Sequence, residues 1–185
     1  MKRTIAILSL VPMLSTLGCA SIGFPLIGGF ADDVAENVDL TRYVGRYFEI
    51  ASIPSVASAF GRCTNTTAEY TLQDDGTVRL YNQCFLDSFD GPISSIRGRA
   101  RAVDETNARL SILFDGFFFE APYNIIDLDP DYQWAVVGSG PDSLFILSRT
   151  PQLDEATFNE ILGRLPGFGY DVDRLQLTPQ PTEDE

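Results

Sequence analysis

The chain has 185 residues, with 13 Lys and Arg against 26 Asp and Glu, no His, and 44% apolar residues. That suffices for one good-sized core and is short for two, and it excludes a mainly disordered chain. A net charge of −13 argues against nucleic acid, whose backbone needs a basic footprint. Without His there is no Ser-His-Asp triad, no Cys-His pair and no imidazole metal site.

The amino terminus reads as an address. Met1-Lys2-Arg3 is a basic start, and Thr4 to Leu17 is an apolar run of signal-peptide length, too short to span a bilayer comfortably. It ends in Leu17-Gly18-Cys19-Ala20, which resembles the acylation site of bacterial lipoproteins, with Thr16 where the usual Leu stands. Residues 1–18 are therefore expected to be a signal peptide, Cys19 the lipidated residue, and 19–37 a Gly-rich, then acidic tether. In that resemblance Ala20 directs the protein to the outer membrane, facing the periplasm; an ordinary secreted or periplasmic protein is the alternative. Without Lys2 and Arg3, 11 basic groups face 26 acidic ones, a net −15, so lipid and not charge would hold the chain at an anionic membrane. An oxidising compartment would suit a disulfide between the remaining pair, Cys63 and Cys84.

Val38 to Val44 is a short apolar-periodic segment, suited to one turn of 3-10 helix. Arg46–Ile53 is the first strand, and Pro54–Gly61 a loop of small residues that could serve as a lid. Then follow Asn65–Gln73, Thr77–Phe85, Ile93–Val103, Ala108–Phe114, Tyr123–Leu128, Gln133–Gly138 and Ser143–Ser148, each rich in β-branched or aromatic residues and bounded by turn formers. Eight strands without intervening helices favour an all-β, up-and-down antiparallel barrel or a sandwich. Asp154 caps one late helix, whose Phe158, Ile161, Leu162 and Leu165 form a single stripe and which Pro166-Gly167 stops. Tyr170 to Leu177 allows a last strand, and Thr178 to Glu185 reads as a mobile acidic tail.

Asp74-Asp75-Gly76 suits a three-residue hairpin loop with Gly76 left-handed. Leu72 then faces Val78, Tyr70 faces Leu80, and Ala68 faces Asn82, all on the inward side. In that register Cys84 faces Thr66, so a Cys63–Cys84 bond requires Cys63 to lie in a bent loop before the strand. Asp115 to Pro122 carries Phe117-Phe118-Phe119; two of these are expected in the core, with the rest at the barrel rim or against a membrane.

Three places carry a family resemblance. Gly45-Arg46-Tyr47-Phe48-Glu49-Ile50-Ala51, Asp129-Pro130-Asp131-Tyr132 and Ile146-Leu147-Ser148-Arg149-Thr150-Pro151 resemble the three motifs of the lipocalins, most closely the bacterial outer-membrane lipocalins and their relative apolipoprotein D. The usual Trp is here Tyr47. The resemblance implies an eight-stranded up-and-down barrel over 38–177 with one carboxy-terminal α-helix packed outside. It also implies a plug at the closed end from Gly45, Tyr47 and Arg149, the guanidinium stacked on the ring. Tyr47 either leaves a gap or is repacked by Tyr43. Strand parity places Tyr47, Glu49, Ala51 and Ile53 on one face; Glu49 there either hydrogen-bonds near the closed end or meets a polar ligand group.

An eight-stranded barrel holds one small ligand. Small inward residues (Ala51, Ala68, Gly98, Ala100, Ala102) leave the middle unfilled, while Ile53, Tyr70, Leu80, Ile96 and Phe145 give apolar walls and Asn82 a polar contact. The implied guest is a fatty acid, lysophospholipid or similar small lipid. The reading involves no metal, no cofactor, no nucleic acid and no catalysis, and it leaves a homodimer open. A plugged barrel serving as a structural or adaptor lipoprotein and a lipocalin enzyme acting on an apolar substrate are the competing readings.

Overall fold

The computed structural model describes residues 33–53 and 62–182. The signal segment, Cys19, most of the tether, the loop expected as a lid and the last three residues lie outside the described residues.

The first element is a short helix, α1 (Leu40–Tyr43), an α-turn where a 3-10 turn was expected. Asp39 caps it, accepting from the Thr41 amide at 2.8 Å and the Thr41 hydroxyl at 2.7 Å. Eight strands follow: β1 (Gly45–Ile53), β2 (Cys63–Leu72), β3 (Val78–Leu86), β4 (Ile93–Ala102), β5 (Arg109–Phe114), β6 (Glu120–Leu128), β7 (Trp134–Gly138) and β8 (Leu144–Ser148). Each pairs antiparallel with the next, and β1 pairs with both β8 and β2, which closes the barrel. The closed end is the α1 end; the mouth lies where β2 begins and β3 ends.

The β2–β3 hairpin has the expected register: Leu72 opposite Val78, Tyr70 opposite Leu80, Ala68 opposite Asn82. Asp75 sets the turn by accepting from the Thr77 amide and hydroxyl, and Gly76 takes φ +78°. Nearer the mouth the strands depart from expectation. A bulge at Asn65 and Thr66, with Asn65 at φ +46°, shifts the pairing by one, so Cys63 stays within β2, opposite Leu86. No bent loop is needed: the Cys63 and Cys84 Cα atoms lie 5.4 Å apart and the side chains form a disulfide.

Two apolar clusters share the sheet. One lines the barrel interior, with Tyr43, Tyr47, Tyr70, Leu80, Ala100, Ile112, Tyr123 and Leu147 among its buried members. The other lies outside, beneath helix α2 (Glu155–Arg164), where Ile161 and Leu165 meet Ile53, Val136, Leu144 and Ile146. Burying each such aliphatic side chain contributes about 2 kcal/mol, so this stripe suffices to hold α2 on the barrel. Pro166 does not stop the chain dead; it opens a 3-10 turn (Leu165–Phe168) that ends at Gly169, φ +86°.

Two expectations fail here, each for a physical reason. Ala51 and Ile53 were placed in the ligand wall by simple alternation from Tyr47. A bulge at Ile50 shifts the β1–β8 register between Glu49 and Ala51, which turns Ala51 and Ile53 outward under α2. The tail from Thr178 was expected to be mobile. Instead β9 (Gln176–Leu177) pairs with Ser52 and Ala51, and residues 178–180 continue along the gap between β1 and β2. The β1–β2 ladder runs only from Gly45–Tyr70 to Phe48–Thr67. Past it, Thr178 N donates to Ile50 O, Asn65 N to Pro179 O, and Gln180 Nε2 to both Glu49 O and Thr66 O, at 2.7–3.0 Å. The tail is a strap across the seam.

Candidate functional site: the barrel interior

The closed end is filled by tyrosines. Tyr43 and Tyr123 share a hydrogen bond of 2.6 Å, and Tyr123 donates to Tyr70 at 3.0 Å. The Tyr43 ring lies 5.5 Å from that of Tyr47 and 5.8 Å from that of Tyr70, centroid to centroid. Tyr43 thus packs against both the Tyr47 and the Tyr70 ring. Burial drives the Tyr43 and Tyr123 hydroxyls well above the usual phenol range, and holds Tyr70 at about 12. All three stay protonated, forming a polar but neutral floor.

Arg149 closes the barrel from below. Its Cζ lies 3.7 Å from the Tyr47 ring centroid. Its nitrogens donate to five carbonyls: Tyr132, Arg46, Arg42, Tyr43 and Val44, at 2.9–3.1 Å. Three of these belong to the end of α1, where carbonyls lack intrahelical partners. Gly45, at φ +108°, clears the way: a Cβ there would stand 3.1 Å from Arg149 Nη1.

Above the floor the inward face changes character. Ala68, Tyr70, Leu80 and Ala100 are buried in the interior cluster, on the inward face that alternation implies. Gly98 lets β5 approach, since a Cβ would meet Leu113 O at 2.8 Å. Toward the mouth, Asn82, Ile96, Phe114 and Phe145 face inward by register yet remain only half-buried. From Leu80 to Leu86 the wall rises six residues, roughly 20 Å along the strand and about 15 Å along the axis at the usual tilt.

One wall is polar. Glu49, opposite Leu147, points inward, and its Oε1 accepts from Ser52 Oγ at 2.9 Å and Thr178 Oγ1 at 2.6 Å. Burial raises the Glu49 carboxyl above its usual range, opposed by the Thr178 and Ser52 hydroxyls. The Asn82 Oδ1 and Thr66 Oγ1 atoms are buried without a hydrogen-bond partner among the described residues. The Tyr47 hydroxyl at the closed end is likewise without a hydrogen-bond partner among the described residues.

Sequence reasoning missed Tyr123, Phe114, Ser52 and Thr178 as interior residues. Tyr123 lies in β6, a strand that bulges at Ile126 and is apolar on both faces, so alternation carries no signal there. Ser52 needed the Ile50 bulge, and Thr178 the strap. The aromatic loop also departs from expectation. None of Phe117, Phe118 and Phe119 enters the core: they are 49%, 96% and 55% exposed, packed edge-on against one another at the mouth. Two shallow clefts of about 390 and 340 Å3 open on the outer surface, one at the start of α2 and one beside Arg79, Tyr81 and Arg97.

Comparison with known proteins agrees with this architecture. Residues 38–180 match the model of the lipocalin-like domain. Outer membrane lipoprotein Blc of Escherichia coli K12 is 34% identical over 151 residues, 80% of this chain and 82% of the relative. Apolipoprotein D of Bos taurus is 30% identical over 187 residues, 95% and 96% of the two chains. Among solved structures, the cockroach allergen Per a 4 superposes with a TM-score of 0.64 at 19% identity, over 80% of this chain and 92% of that one.

Proposed function

Because this chain belongs to the lipocalins, a family that binds small hydrophobic ligands, we propose that it holds one single-chain lipid in the upper half of its barrel, between the tyrosine floor and the mouth. Fatty acid and lysophospholipid are the candidate classes. The observation that carries this reading is the inward face above Tyr70 and Leu80. Ile96, Phe114 and Phe145 face inward by register and stay half-buried, whereas Tyr70, Leu80 and Ala100 below them are buried. An acyl chain supplies the missing contact. Twelve methylenes gain on the order of 10 kcal/mol gross. Ordering and association subtract several kcal/mol or more, which leaves about micromolar affinity.

The work is reversible sequestration and involves no bond breaking. The Tyr43, Tyr70 and Tyr123 hydroxyls are buried and protonated, so none serves as a base. Residues 1–18 fit a signal peptide and Cys19 a lipid anchor. Together with the relative named as an outer membrane lipoprotein, they support attachment to the bacterial outer membrane. The Phe117–Phe119 cluster at the mouth suits contact with a bilayer.

Native mass spectrometry of protein purified from its own envelope tests the reading. One lipid retained per barrel is expected. The Ile96→Trp variant, which fills the half-buried upper wall opposite Asn82, should fold and lose that lipid. An empty wild-type barrel that also refuses a fluorescent lipid would refute the proposal.

A further inference from the structure

The polar wall determines which end groups the barrel accepts. Glu49 faces inward by register, opposite Leu147, and is half-buried. The Ile50 bulge turns Ser52 inward beside it, opposite Phe145, and the strap delivers Thr178. Both hydroxyls donate to Oε1, and among the described residues Oε2 has no hydrogen-bond partner. Tyr70 stands close enough below for the Glu49 charge to act on its hydroxyl. Among the described residues no cation pairs with Glu49. The strand arginines, Arg46, Arg79, Arg97, Arg99, Arg101 and Arg109, occupy outward positions by register, and Arg149 is spent beneath the floor. An ionised carboxylate can only accept hydrogen bonds. Asn82 can turn either end of its amide to a ligand, so Glu49 sets the sign of this wall.

We propose that Glu49 makes the barrel select apolar ligands whose polar end donates a hydrogen bond and bears no negative charge, a hydroxyl in the simplest case, over a free carboxylate on the same chain. The hydroxyl donates to the open Oε2, whereas a carboxylate would set two like charges a few ångströms apart in a poorly solvated space, where repulsion is strong. This inference rests on the interior lipid site proposed above and narrows its candidates away from the free fatty acid.

The test compares dodecanol with dodecanoate at pH 8, above the carboxylate range, on the full-length protein. Both compete against the neutral fluorophore N-phenyl-1-naphthylamine, below their aggregation limits. Neutral dodecanol avoids the spurious attraction that an acidic surface exerts on amines. Dodecanol should displace the probe at a concentration at least about tenfold lower than dodecanoate, and Glu49→Gln should shrink that ratio to within about threefold. Equal or tighter binding of dodecanoate by the wild type overturns the inference and leaves the lipid site standing. So does a ratio that Glu49→Gln leaves unchanged. Binding of neither ligand, with no uptake of the probe, overturns the site itself. If the variant fails to fold, the wild-type comparison repeated in about 0.5 M salt, which screens the acidic surface, decides instead: the ratio should persist, and a fall to within about threefold overturns the inference.

Discussion

Replacing Arg149 by Ala removes the lock at the closed end. The guanidinium serves five carbonyls and covers the Tyr47 ring. A cation over an aromatic face contributes roughly 0.5–2 kcal/mol. A hydrogen bond to a charged group contributes about 1.5–3 kcal/mol net. Water can replace the more exposed bonds, those to Arg42 and Arg46; the partly buried carbonyls of Tyr43, Val44 and Tyr132 are less easily re-solvated. A loss of about 3–5 kcal/mol follows, a large part of a domain's usual 5–15 kcal/mol. Urea unfolding followed through the single Trp134 measures it directly. Arg149→Lys should recover less than half, because one ammonium lacks the planar fork that reaches several acceptors and stacks on the ring. A loss below about 1 kcal/mol for the Ala variant, or full recovery by Lys, would refute the view of Arg149 as the lock.

Four further outcomes are expected. Converting Cys63 and Cys84 to Ser together should cost about 3 kcal/mol in urea melts, from the loop entropy of a 21-residue separation. Ile53→Ala should cost about 2–5 kcal/mol with lipid affinity unchanged, because Ile53 packs under α2; an affinity loss without a stability loss would return it to the ligand wall. The folded protein raises the Glu49 carboxyl, so this group's contribution to stability is full below the ordinary carboxylate range and is lost as pH rises through the raised value. Glu49→Gln should therefore gain on the wild type in melts at pH 8 and lose that advantage near pH 4. Changing Phe117, Phe118 and Phe119 to Ser should reduce vesicle or lipid association in co-sedimentation while shifting the urea midpoint little, since all three side chains are exposed.

The sequence was most legible where only one face of the sheet is buried. In β2, β3 and β4 the outer positions are polar, among them Glu69, Thr71, Arg79, Arg97 and Arg99, so alternation identified Ala68, Tyr70, Leu80, Asn82, Ile96 and Ala100 as inward-facing. Over β6, β7 and β8 the outer face is covered by α2, and Val136 and Ile146 outside look the same as Val137 and Leu147 inside. The bulge at Ile50 left no local mark, because a bulge is a relation between two strands. Ile50 is β-branched and suits an ordinary strand as well. The strap was hidden for a similar reason. Thr178-Pro179-Gln180 is composed like a loose tail, and its order comes from the backbone groups that β1 and β2 leave unpaired where they separate.

That one extra residue in β1 links the two halves of the molecule. Before Ile50, β1 turns Tyr47 and Glu49 inward. Had alternation continued unbroken, Ala51 and Ile53 would enter the barrel, and Ser52 would fall in the outer seam beneath α2. The helix would then lose Ile53 as a contact for Ile161 and Leu165 and gain a hydroxyl without a partner there. The bulge assigns the aliphatic side chains to the helix and the hydroxyl to Glu49. The helix stripe and the tyrosine floor therefore stabilise the fold from outside and below, leaving the half-buried upper wall a smaller share of the packing. A wall with that smaller share can keep a carboxylate facing inward, which a core needed for stability would not tolerate unpaired.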